Sequence, residues 1–137
     1  MLVQANFGLR PQLTIAGVPI EAAALLAREF PERLSGFLSE DEVRQAAGFL
    51  HNPGISVLRD AQSALAAGQV NAMHDPTEGG LAAALWELAE ASGCSLEVNS
   101  PDIPIPELAR KLCQAVQIDP LAAIASGALL LSVPASQ

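Results

Sequence analysis

Between Met73 and Gly93 the chain reads MHDPTEGGLAAALWELAEASG, a stretch that gathers a histidine, two carboxylates, a threonine and two consecutive glycines ahead of an apolar, helix-like run. A glycine inside a helix costs on the order of 1 kcal/mol relative to alanine, so Gly79 and Gly80 mark a place where the backbone has to be bare. Two physical readings account for this. In the first, Asp75 is the N-cap, Pro76 the first helical residue and Glu78 the acid three positions after the cap. That is an ordinary helix start, and the glycines let the helix approach a neighbour. In the second, a bare first turn exposes N–H groups at the positive end of the helix dipole, which suits an anion such as a phosphate. Without a longer glycine fingerprint the pair alone does not choose between them.

At about 100° per residue the helix has three stripes. Leu81, Leu85 and Leu88 form the core face, and Trp86 and Glu90 lie roughly opposite. Gly80, Ala83, Ala84, Glu87 and Ala91 share a third stripe, in which one carboxylate stands among residues of very small volume. Close packing is expected there, and Glu87 is the carboxylate to consider for chemistry, against a plain solvent-exposed role. His74, a lone histidine beside a presumed cap, reads as a surface or packing residue rather than a base. His51, next to Asn52-Pro53-Gly54, reads as a helix end, and the run Glu40, Asp41, Glu42 as a solvated first turn.

The elements that must position these residues follow from periodicity and breakers. QLTIAG at 12–17 is a short strand and IEAAALLAREF a helix. Ser39 and Glu42 have capping-box spacing ahead of EDEVRQAAGFL, and ISVLRDAQSALAAG is a further amphipathic helix closed by Gly68. VNAM at 70–73 and the alternating SLEVN at 95–99 are strand candidates. PELARKLCQAV is a helix, DPLAAIAS a short turn-like helix, and ALLLSV, ended by Pro134, a buried strand. The order β-α-α-α-β-α-β-α-β describes one α+β (α/β layered) domain over 1–137, a mixed sheet of about four strands flanked by helices.

Composition excludes several classes. Seven Lys plus Arg against fifteen Asp plus Glu give a net charge of -8 and a pI near 4.5, the wrong sign for a nucleic-acid partner. Apolar residues make up 50% of the chain but are interrupted by charges and prolines well short of a membrane span. The N-terminus lacks a basic start and its apolar run is broken by Arg10, Pro11, Pro19 and Glu21, so we expect a cytoplasmic protein. Cys94 and Cys113 match no zinc or redox spacing and read as buried reduced thiols.

HDPTEGGLAAALWELAEASG resembles the DPTxGG-helix segment in the C-terminal half of the aminoimidazole ribonucleotide (AIR) synthetase superfamily, the PurM-like proteins. Within that superfamily it is most similar to the hydrogenase maturation branch, HypE, and its archaeal AIR synthase-related members. GVPIEAAALLAREF, LSEDEVRQAAGFLHNPGISVLRDA and IDPLAAIASGALLLSV resemble further family segments in the same order, covering about residues 14–133. The resemblance implies a PurM C-terminal domain-like fold and a cleft facing a nucleotide-binding half. By that resemblance Asp75, Thr77, Gly79 and Gly80 line the cleft, Glu87 faces it from the helix, and Ser126 and Gly127 form a second cleft loop. Asp75 and Thr77 as caps, and Ser126-Gly127 as a helix stop, are the plain alternatives. At 16–21, AGVPIE is poorer in glycine than relatives.

The family's N-terminal half, which holds ATP and magnesium, is not in this sequence, nor are the last family helix and strand or the cysteine tail of HypE. Neither ATP nor a metal is therefore expected to be held by this chain alone. Three functions are open: the C-terminal half of an ATP-dependent enzyme of carbamoyl dehydration or related phosphoryl transfer, a half of the thiamine monophosphate kinase type, and a stand-alone, non-catalytic domain that binds a metabolite or a partner. A separate N-terminal ATP-binding half is one expected partner. A homo-oligomer is the other, because ALLLSV or its neighbouring strand could be left as an apolar edge. A single 14 kDa species in light scattering across a wide concentration range would remove that second expectation.

Overall fold

The computed structural model describes residues 2–4 and 12–134. Strand β1 (Leu2–Gln4) pairs with β2 (Gln12–Ala16), β2 with β4 (Leu129–Val133), and β4 with β3 (Ala72–His74), giving the order β1-β2-β4-β3. All three ladders are antiparallel, with Ala16 opposite Leu129 and His74 opposite Leu130. The sheet is thus not mixed. β4 is interior, and Leu129, Leu130, Leu131 and Ser132 are all buried. That is why its sequence runs apolar without alternation, and why β4 is no edge. The edges are β1 and β3.

One expected strand is corrected and one strand was not expected. SLEVN contributes only a single bridging residue, Leu96. Its alternation arises because Leu96 and Val98 pack against a core cluster without forming a ladder. β1, in contrast, is too short for its three residues to show a period, and only pairing with β2 defines it.

The helices are α1 (Ile20–Glu29), α2 (Pro31–Leu34), α3 (Glu40–Ala47), α4 (Leu58–Ala67), α5 (Gly80–Ser92) and α6 (Glu107–Ala115). DPLAAIAS is a run of turns rather than a helix. The Asp119 carboxylate accepts the Leu121 N–H at 2.9 Å, and the Asp119 carbonyl accepts those of Ala122 and Ala123. α1 is the centre of one core cluster, in which Ala23, Ala24 and Ala27 let Leu34, Leu38, Phe49, Ala109 and Leu112 come close. A second cluster of Val18, Leu81, Ala84, Ile103, Ala125, Ala128 and Leu130 fixes α5 to β4 and to the loops between them. α4 differs from the rest, because none of its residues is buried, and Leu58 and Leu65 are each 62% exposed.

Both cysteines are free; Cys113 is buried and Cys94 partly so. Burial, and secondarily the Asp119 charge, pushes the Cys113 thiol up, which keeps it protonated and unreactive. No helix is long and apolar enough to cross a membrane among the described residues.

The capping box forms as expected at the start of α3. The Ser39 hydroxyl accepts the Glu42 N–H, while the Glu42 carboxylate accepts the Ser39 N–H at 2.9 Å. The same carboxylate accepts from Lys111 Nζ at 2.9 Å, tying α3 to α6. These donors, Lys111 first and Ser39 next, hold Glu42 down from 4.5 to about 2. A depressed carboxylate contributes stability that is complete above its unfolded value and is lost as pH falls through the folded one. The support from Glu42 is therefore complete above about 4.5 and is lost as pH falls from there to about 2. Chemical denaturation at several pH values is expected to show Glu42→Gln less stable than the parent at neutral pH, with the gap closing across that window. A gap that stays constant with pH would mean Glu42 acts through packing alone.

Candidate functional site

α5 begins at Gly80, with Gly79 as its N-cap, so Asp75 and Thr77 are not caps and Pro76 is not the first helical residue. Gly79 (φ 75°) and Gly80 (φ 63°) both adopt the left-handed conformation, which an L side chain disfavours. The glycines make the turn into the helix themselves. A Cβ on Gly80 would stand 2.4 Å from the Ala123 carbonyl oxygen and 2.6 Å from that of Leu121. The backbone is bare because the 121–123 turn lies directly on it.

Hydrogen bonds hold that contact. The Ala82 N–H donates to the Leu121 carbonyl at 2.9 Å, and the Thr77 carbonyl accepts from both Gly80 (3.1 Å) and Ala125 (3.2 Å). Two N–H groups of the first turn of α5 are therefore already engaged by protein carbonyls. Of the two readings of the glycine pair, close approach has the direct structural account.

A second contact of the same kind adjoins the first. A Cβ on Gly17 (φ 80°) would meet the Gly127 carbonyl oxygen at 2.2 Å, and one on Gly127 (φ 93°) would meet Ile20 Cδ1 at 2.7 Å and Ile55 Cα at 3.0 Å. The Glu21 carboxylate, in the first turn of α1, accepts the Ser126 N–H at 3.0 Å. Loop 75–79, turn 121–127, the start of α1 and the segment at Ile55 thus converge at one end of the sheet. Glu21 was legible in the sequence only as a helix-start acid, because its partner lies 105 positions away.

Glu87 lies elsewhere on the same element. It is seven residues beyond Gly80, which at about 1.5 Å per residue is some 10 Å along α5. Its carboxylate meets His74 Nε2 at 2.7 Å, with side chains 53% and 33% exposed, respectively. The structure joins Thr77 to Gly80 and, through the Ala125 N–H, to the turn that carries Ser126 and Gly127, and it sets Glu87 apart with His74. Asp75 and Gly79 are exposed in the loop between the two groups, and Pro76 is buried beneath them. His74 is the residue that the sequence reading undervalued. A histidine at a strand end and a glutamate thirteen positions later share no helical or strand period.

The family model of the AIR synthase related protein, C-terminal domain, matches residues 15–137. The chain belongs to this AIR synthase-related family. A putative hydrogenase expression/formation protein of Methanocaldococcus jannaschii is 40% identical over 65 residues, which is 47% of this chain and 19% of that protein. The carbamoyl dehydratase HypE of Rhodobacter capsulatus is 36% identical over 72 residues, 53% of this chain and 21% of that protein. The match thus spans about a fifth of the length of these curated relatives.

Among solved structures, E. coli HypE superposes with a TM-score of 0.68 at 22% identity, covering 96% of this chain and 38% of that one. A HypE in complex with ATP gives 0.60 at 22% identity, covering 90% and 34%. Thiamine monophosphate kinase from Aquifex aeolicus gives 0.62 at 19%, covering 93% and 42%. These likenesses establish the PurM-like C-terminal fold for this AIR synthase-related domain.

No group of three or more His, Cys, Asp or Glu able to hold a metal ion exists among the described residues, so a magnesium ion here would be held through one or two carboxylates, water and the phosphates of a bound nucleotide.

Two substitutions test the geometry of the loop. Gly80→Ala places a methyl group against the 121–123 carbonyls in a left-handed conformation, and is expected to cost about 1–3 kcal/mol or more. Gly36→Ala is its control, since nothing lies within 4 Å of a Cβ there. Equal denaturation midpoints for the two variants would mean the turn does not press on Gly80. Asp75→Ala, which removes no cap, should stay within about 0.5 kcal/mol of the parent.

Proposed function

We propose that this domain is the C-terminal, cleft-forming half of an ATP-using enzyme of the AIR synthase-related type, acting on a carbamoyl or similar amide oxygen. The observation that carries the reading is the family match across 15–137, together with relatives named as hydrogenase formation proteins and carbamoyl dehydratase HypE. A related fold bound to ATP supports a nucleotide as co-substrate. In this reading Asp75, Thr77, Gly79 and Gly80 line one wall of the cleft, Ser126 and Gly127 line the other, and Glu87 is the carboxylate about 10 Å further along α5, beside His74.

The physics of that arrangement is positioning. Loops held by backbone-to-backbone contacts cannot shift without displacing several carbonyls, so a ligand placed between them is held in a fixed geometry. Phosphate contacts come from loop atoms still open to solvent, because the Gly80 and Ala82 N–H groups already have partners. An acidic surface repels a nucleotide, and the net charge of -8 supports a reading in which an ATP-binding half supplies the cations that neutralise its phosphates. That half, or a second copy of this chain, is the proposed partner.

Nucleotide hydrolysis by the purified chain, by a HypE-type N-terminal half, and by their mixture is the experiment. Turnover is expected only in the mixture, and Glu87→Gln should lower it without changing the melting temperature. Robust hydrolysis by the isolated chain, or none in the mixture, would count against the half-enzyme reading.

A further inference from the structure

His74 closes the edge strand β3, where its backbone is fixed opposite Leu130 of β4, and Glu87 reaches it from the second turn of α5 at 2.7 Å. An ionised carboxylate only accepts hydrogen bonds, so His74 Nε2 must be the donor. In the neutral ring the lone pair is then on Nδ1, which has no hydrogen-bond partner among the described residues. Asp75 follows directly, so the ring stands at the start of the 75–79 loop. Both side chains are partly exposed, and a small molecule can reach them.

We propose that His74 and Glu87 form a proton-transfer pair, in which Glu87 orients the ring and His74 accepts, at Nδ1, a proton from an amide or hydroxyl of a ligand bound beside the 75–79 loop. The proposal rests on the cleft assignment above and changes the role of Glu87 there, which becomes a positioning residue. The chemistry is balanced without a further reactant. The proton passes from the ligand nitrogen or oxygen to Nδ1, the bonding pair stays on the ligand atom, and the imidazolium so formed faces a carboxylate that stabilises it. A pair serving only to hold α5 against β3 would need a donor on β3 and nothing more. An imidazole adds the acceptor that a mere tether lacks.

Two measurements test this. In the first, nitrogen-edited NMR follows the two histidines of the isolated chain, with His51 as the internal reference. A slowly exchanging Nε2–H is expected for His74 and lost in Glu87→Ala, and its Nδ1 resonance should move on adding carbamoyl phosphate while that of His51 does not. A proton resting on Nδ1, an Nε2–H indifferent to Glu87→Ala, or an Nδ1 indifferent to carbamoyl phosphate overturns the proposal.

In the second, His74→Gln is compared with the parent in the two-half hydrolysis assay. The glutamine amide can still donate to Glu87 but cannot take the proton. Turnover should fall about 10²–10⁴-fold at an unchanged melting temperature, and turnover equal to the parent overturns the proposal. If the parent mixture is itself inactive, the half-enzyme reading falls and the NMR outcomes alone decide the pair. If the mixture is active and His74→Gln is equally active, the pair falls and the half-enzyme reading stands.

Discussion

The carbonyls of Leu121 and Ala123 press on the backbone of Gly80, and the loops at that end of the sheet are arranged around this approach. Because no side chain intervenes, the helix entrance and the turn move as one body. The Ala82 and Ala125 hydrogen bonds lock the turn in register with loop 75–79. The turn leads straight into β4, the interior strand, and Gly127 at its end presses on Gly17 ahead of α1. Contacts of this kind have almost no compliance. An alteration at either glycine pair is passed to α5, to the sheet and to α1 together.

Charge is distributed differently from shape. The carboxylates at the start of α1 and on α5 are already committed to donors, Glu21 to the Ser126 N–H and Glu87 to the His74 ring. Each occupies a donor that an external anion would otherwise use, so an anionic ligand has to compete with an internal one. At the start of α3, Glu42 serves three donors at once, the Ser39 N–H, the Ser39 hydroxyl and Lys111 Nζ, which hold its carboxyl well below the usual range. The fold thus uses acids to fasten elements, and an overall negative charge does not by itself signal a cation site.

Elements with enough length to show a period could be read directly from the sequence. α1, α3, α5 and α6 and the strands β2 and β4 fall where apolar spacing and breakers put them, and the Ser39–Glu42 box is a local signal satisfied by local atoms. The errors come where distant packing decides. Asp75, Pro76 and Glu78 have the types of a helix start, yet the helix begins later, since the buried Pro76 and the 121–123 turn dictate where Gly79 and Gly80 must bend. Leu96 and Val98 alternate like a strand because one side faces the core, while no neighbour offers them a ladder. For the site, the loops were visible as glycine-rich segments, but the bonds that define them, Glu21 to Ser126 and His74 to Glu87, join residues with no shared period. Such pairs emerge only once the chain has folded.

α4 illustrates what a helix is when tertiary packing gives it little. A ten-residue helix with no buried side chain depends almost wholly on its own propensity, and isolated helices of that length are marginal in water. Its amides should therefore exchange with solvent through openings far cheaper than global unfolding, while those of β4 exchange only when the whole domain opens. The molecule accordingly has two tiers of persistence, a slow one centred on β4 and a fast one in the arm that joins α3 to β3. A protease added to the native protein would find α4 first and could sever it while the contacts of Gly80 with the 121–123 turn were still intact.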